Sequence, residues 1–94
     1  MVEQHLASIE HYASILMLPK DIARILELDF FQFKTALLNE YSLESQSFFK
    51  GYLKTEVKIR ERSTSEDAKD ILAIEFDIID LKEFKAKLNL QLYA

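Results

Sequence analysis

Residues 19–39 read PKDIARILELDFFQFKTALLN, and this stretch decides the fold. Pro19 suits the first turn of a helix, where its missing N–H would have no partner in any case. Ile22, Ala23, Ile25 and Leu26 then recur at helical spacing. Asp29 followed by Gln32 three residues later predicts a capping-box start for a second helix. Phe30, Phe33, Ala36 and Leu37 give that second helix its apolar face. Two short helices joined by a tight turn make a helix-turn-helix. Ile22, Ala23, Leu26, Leu28, Phe33 and Ala36 fall at the spacings of its shared core, and small Ala23 lets the two helices cross closely. Glu27 occupies the turn position where many such motifs carry glycine, so a side chain must tolerate that turn at some cost.

Working outward, Val2, Leu6, Ile9, Ala13, Leu16 and Met17 recur every three or four residues. They predict one amphipathic helix from Val2 to Leu18 whose stripe packs on the two that follow. The expected fold class is therefore all-α, with a three-helix bundle over residues 1–40. Tyr41–Ser47 (YSLESQS) is the clearest break and reads as a linker, with Ser45 or Ser47 capping the next helix. That helix runs from Phe48 to about Arg62 and is expected to bury Phe49, Tyr52, Leu53 and Val57 on one side, with Phe48 and Ile59 widening the stripe. Gly51 lies in its middle, where it costs about 1 kcal/mol relative to Ala, and close approach of another backbone is the expected reason.

Ser63 with Glu66, or Thr64 with Asp67, offers a further capping box before a long last helix over about 66–92. A single helix bent near Ser63 is the alternative to a hairpin within residues 48–94. In the last helix Ile71, Ile74, Ile78, Leu81, Leu88 and Leu92 follow heptad spacing, interrupted by Lys85. Leu72, Phe76 and Ile79 add a second stripe. Two apolar faces exceed what a small core needs, so the seam is expected to serve as an oligomer interface; coverage by the 48–62 helix within one chain is the competing expectation.

Composition bounds the chemistry. The chain has 94 residues, one Gly and one Pro, which suits a single helical domain and not a turn-rich β fold. Cysteine is absent, so disulfides and thiolate chemistry are excluded. The start, MVEQHLASIEHY, carries acids and no basic n-region, and no apolar run approaches a membrane span. A cytoplasmic protein without a signal peptide is expected. His5 and His11 are six apart and do not share a helix face as metal ligands would. Asp70, Asp77, Asp80 and Glu83 lie on a helix also rich in Lys82, Lys85 and Lys87, the pattern of a solvated ion-paired face. No acid, base and nucleophile converge, and one glycine cannot build a phosphate loop. Neither catalysis nor a cofactor is expected.

Net charge is −4, which opposes general affinity for nucleic acid. The distribution is uneven. Residues 1–40 hold three bases (Lys20, Arg24, Lys34) against six acids, whereas residues 50–62 hold five (Lys50, Lys54, Lys58, Arg60, Arg62) against two.

With these motifs in hand, the chain resembles the small-subunit terminases of tailed phages and related prophage proteins. LPKDIARILEL and DFFQFKTALLNE look like their DNA-binding helix-turn-helix. After a serine-containing linker, SFFKGYLKTEVKIRERS looks like the family's aromatic-x-x-Gly helix, with Phe49, Gly51, Tyr52, Thr55, Glu56, Ile59 and Arg60 matching. Ala68 to Leu88 resembles the region through which such proteins associate, often into rings. The likeness covers about three quarters of the chain, departing from the family at Glu27 and in the acidic N-terminal half. It implies recognition of double-stranded phage DNA for packaging in a bacterial or phage-infected cell, by a homo-oligomer with a large-terminase partner. Lys20, Gln32, Lys34 and Thr35 would meet DNA, and Lys50, Lys54, Lys58, Arg60 and Arg62 would contact phosphates. A helical assembly module without DNA binding is the alternative.

Overall fold

The computed structural model describes residues 5–63 and 71–93. Five α-helices and no strand occur among them: α1 Leu6–Ser14, α2 Pro19–Ile25, α3 Phe30–Leu38, α4 Leu43–Ser63 and α5 Ile71–Tyr93. The fold is all-α. Arg62 pairs with Asp77, Glu56 with Lys85, and Tyr52 stacks on Phe84. These contacts run in opposite sequence directions, so α4 and α5 form an antiparallel hairpin and not one bent helix. The capping boxes expected at 63–67 lie outside the described residues.

The first expected helix is shorter than its periodicity suggests. Leu16 adopts φ 62°, in the left-handed region. Its N–H reaches Ala13 O and that of Met17 reaches Tyr12 O, each at 3.0 Å. This is a Schellman ending built on leucine in place of the usual glycine. α2 ends in the same way, with Glu27 at φ 56° and Leu28 N–H on Ala23 O at 2.8 Å. The tolerance asked of Glu27 is thus met in the backbone itself.

Helix α1 packs chiefly on α4, whereas α2 and α3 pack on each other and on the α4–α5 hairpin. The expected three-helix unit of residues 1–40 is not the packing unit. Gly51 explains why α1 goes to α4. A Cβ on Gly51 would stand 2.0 Å from the Glu10 carbonyl oxygen, so the two backbones meet where the side chain is missing. One turn further on, the Thr55 hydroxyl donates to Ser14 O. Contacts at 10 with 51 and 14 with 55 ascend together, so α1 and α4 run parallel. Lys50 and Lys54 flank the contact at 3.5 and 3.3 Å from the Glu10 carboxylate. Exposed pairs of this kind add little to stability.

Residues 41–47 are mostly helix. Ser42, and neither Ser45 nor Ser47, caps α4: its hydroxyl accepts from Ser45 N–H at 3.0 Å and donates to Ala36 O at 2.5 Å. One hydroxyl thus closes α3 and opens α4. The buried face of α4 is Ser45, Phe48, Tyr52, Glu56 and Ile59, while Leu53 and Val57 are exposed. Of the expected stripe Phe48, Tyr52 and Ile59 are buried; counting apolar residues shifts its centre toward Leu53 and Val57 because the inward face contains a serine and a glutamate.

A single core cluster draws on all five helices, from Ile9 and Ala13 through Ile22, Phe33 and Phe48 to Leu81, Phe84, Leu88 and Leu92. Among the described residues the buried hydrophobic side chains of 1–40 and of 48–94 belong to this one cluster. Leu81, Leu88 and Leu92 are buried within one chain, and Ile78 packs against them. The heptad seam expected between copies is therefore core here, because α5 folds back on α4 and on the helix-turn-helix. The side chains of Ile71 and Ile74 lie outside those described. On its outer side α5 exposes Ile79, Leu90 and Tyr93.

Candidate nucleic-acid interface

The α2–turn–α3 unit is held at both ends by identifiable contacts. Pro19, at the first position of α2, is fully buried. The next N–H, of Lys20, donates to the Gln91 side-chain oxygen of α5 at 3.0 Å across 71 positions of sequence. At the start of α3, Asp29 Oδ1 accepts from Gln32 N–H at 3.0 Å, as its spacing predicts. Ser42 anchors the far end. These contacts fix α3 against the hairpin through Phe33 and Leu37, both buried.

The opposite face of α3 is open. Phe31, Thr35 and Leu38 follow at i, i+4 and i+7 and therefore lie on one line, with Gln32 beside it. Phe31 is 75% exposed and Leu38 45%. Gln32 and Thr35 are exposed too, and Lys34 is half-buried at the edge. Thr35 donates its hydroxyl proton to Phe31 O at 2.8 Å. Lys20 stands over the Phe30 ring, 5.6 Å from its centroid, which places a cation at the start of α3. Arg24 is exposed one turn beyond Lys20 on α2 and forms no salt bridge among the described residues. Its i, i+4 spacing from Lys20 was the sequence signal for a two-cation edge. Gln91 had no such signal, since only the fold brings it to α2.

The five cations of α4 do not converge on this face as one strip. Lys50 and Lys54 are turned to Glu10, and Arg62 lies 2.5 Å from Asp77. Arg60 projects on the α5 side, with its Nη2 2.7 Å and its Nε 3.1 Å from Glu56 Oε1. Lys58 lines a cleft of about 620 Å³ with Ser14, Thr55, Arg62, Asp77 and Asp80. Within it Arg62 and Asp77 are paired. A second, shallower groove follows the outside of α4 along Phe49, Leu53 and Val57, bordered by Lys50, Lys54 and Lys58.

Among the described residues the buried charge is Glu56, only 9% exposed. Burial pushes its carboxyl upward, but the Tyr52 hydroxyl, Arg60 and Lys85 act against this and hold it below the usual glutamate range. Tyr52 moves the other way. Its buried hydroxyl faces Glu56 without a hydrogen bond of normal geometry, and burial first, then the neighbouring carboxylate, push it well above the phenol range. Because Tyr52 also stacks on Phe84 at 5.6 Å, this cluster locks α4 to α5. Among the described residues no group of His, Asp and Glu could hold a metal ion, and no helix is long and apolar enough to cross a membrane.

Protein-family models, curated proteins and solved structures give no match to this chain.

Proposed function

We propose that the chain is a DNA-binding helix-turn-helix protein of the terminase small-subunit type, recognising phage DNA for packaging as an oligomer. The observation that carries this reading is the α2–turn–α3 geometry. A recognition helix backed on a rigid hairpin leaves Phe31, Gln32, Thr35 and Leu38 outward, with Lys20 and Arg24 on the preceding helix. In helix-turn-helix proteins the second helix enters the major groove while the first crosses the backbone. Lys20 and Arg24 are then the phosphate contacts, and Lys34 adds charge at the groove edge. Few cations per chain favour an oligomer, since linked weak contacts multiply through effective concentration. With Leu81, Leu88 and Leu92 of the α5 seam inside the core, the face of α5 available for contact between copies is the one bearing Ile79, Leu90 and Tyr93.

Fluorescence anisotropy with a labelled mixed-sequence duplex at low salt, repeated at rising salt, tests the reading. Binding that weakens with salt supports it. Failure to bind any duplex at low salt removes it.

A second reading is favoured by the groove along Phe49, Leu53 and Val57, whose exposed apolar stripe suits a protein partner. On that reading the molecule is a helical assembly module. Light scattering together with the same DNA titration separates the two: self-association without duplex binding supports the module.

A further inference from the structure

The outward face of α3 has an unusual make-up for a helix meeting DNA. Its central line is Phe31, Thr35 and Leu38, two of them large and apolar. Gln32 is the polar side chain beside them; α3 has no arginine, and its one lysine, Lys34, is half-buried at the edge of this face. From Phe31 to Leu38 is seven residues, or about 10 Å along the axis, which matches about three base-pair steps at 3.4 Å each.

Each base pair offers a different set of groups in the major groove. Thymine alone among the four bases carries a methyl group there, and apolar side chains contact it. Adenine presents a donor and an acceptor that Gln takes up in pairs, while guanine is read most often by Arg or Lys. Thr35 has already committed its proton to Phe31 O. Its methyl group and its oxygen lone pairs remain, and the oxygen offers no further proton to a guanine acceptor. An Arg-rich face would favour G·C pairs; this face offers contacts for methyl groups and one amide for adenine.

We propose that α3 reads A·T pairs in the major groove, with Phe31 and Leu38 packing on thymine 5-methyl groups and Gln32 pairing with adenine. The inference rests on the DNA-binding reading above. Phe31 lies in the first turn of α3, whose N-terminal residues meet base edges in such motifs. Its ring is tilted against Phe30 at 6.0 Å, which supports it from behind. Burying one methyl group is worth about 0.8 kcal/mol, or about fourfold in affinity for each methyl in contact.

The test compares four duplexes of equal length by competition anisotropy with the full chain: alternating A·T, alternating A·U, alternating G·C, and G·C with 5-methylcytosine. Uracil removes only the methyl group, and 5-methylcytosine places one at the same groove position. The expected order is A·T tightest, with A·U at least fourfold weaker and methylated G·C tighter than plain G·C. Phe31→Ala, checked for unchanged helical content by circular dichroism, is expected to bring the A·T to A·U ratio close to one. Equal affinity for A·T and A·U, or preference for unmethylated G·C, overturns the inference and leaves DNA binding standing. Absence of binding to all four at low salt overturns both.

Discussion

The contact between α1 and α4 and the contact between α2 and α3 bring helices together by opposite means. Gly51 supplies the first by having no side chain, so Glu10 and Gly51 meet backbone to backbone. The second is made by side chains, Ile22 and Ala23 against Phe33 and Leu37, and joined by a turn in which Glu27 holds a left-handed backbone. One contact has no slack and presents little outward. The other leaves a full helix face open beyond its packed side. The difference separates a locked frame from an open helix face: tight backbone contact holds the frame, and the left-handed turn at Glu27 joins α2 to α3.

Breaking the tight contact has the largest expected effect. Gly51→Ala raises helix propensity by about 1 kcal/mol, but its Cβ meets a backbone oxygen that cannot rotate away. A net loss of about 2–4 kcal/mol is expected from overpacking, read as a lower urea midpoint. Hydrogen exchange should show α1 amides losing protection before those of α2 and α3.

On the other side of the comparison, replacing Lys20 and Arg24 together by alanine should leave stability nearly unchanged. The slope of log affinity against log salt should fall by about 2, since each lost phosphate contact removes about 0.9. Lys54→Ala, whose ammonium already faces Glu10, should change it less.

Asp29→Ala removes the α3 cap and should cost about 1 kcal/mol, measurable as a lower melting temperature. Glu27→Gly should act in the opposite direction. Relief of a left-handed L-residue is worth about 1–2 kcal/mol and the added freedom of the unfolded chain offsets about half, leaving a gain of about 0.5–1 kcal/mol. If Glu27→Gly is stabilising yet weakens duplex binding, the turn sets the angle of α3 as well as ending α2.

The smallest effect concerns pH and the α4–α5 lock. Because the Glu56 carboxyl titrates below its ordinary value in the fold, its contribution to stability is complete above the unfolded value. That contribution is lost as pH falls through the folded value. For Tyr52, raised in the fold, stability is complete below the ordinary phenol value near 10 and declines as pH rises beyond it. Urea midpoints between pH 7 and 3 should fall less steeply for Glu56→Gln than for the parent chain.

Much of the local structure was legible because the signals are local. Pro19, the Asp29 cap, the awkward position of Glu27 and the close approach at Gly51 each follow from one residue and its neighbours. The end of α1 at Ser14 was hidden because leucine and not glycine takes the left-handed position, leaving the apolar repeat unbroken through Met17. The start of α4 at Leu43 was hidden because Ser42 works partly through Ala36, six residues back. The partner of α1 was misplaced onto α2 and α3, and the α5 seam was left open between a second copy and the 48–62 helix of the same chain. Periodicity names a face but not its partner, so Leu81, Leu88 and Leu92 read equally well as an interface and as a core. The candidate site divides in the same way: the outward line of α3 and the i, i+4 pair of Arg60 with Glu56 follow from helical spacing, whereas the pairing of Lys50, Lys54 and Arg62 needed three dimensions.

The bond from Lys20 N–H to Gln91 has a consequence for synthesis. A chain made from its N-terminus can wind α2 and α3 as soon as they emerge, but the first free N–H of α2 waits until residue 91 has also left the ribosome. Domains in general complete themselves as whole units during synthesis. Here the α2–α3 pair is early in translation and late in assembly, so a chain arrested within α5 would carry both helices without the contact that fixes the start of α2.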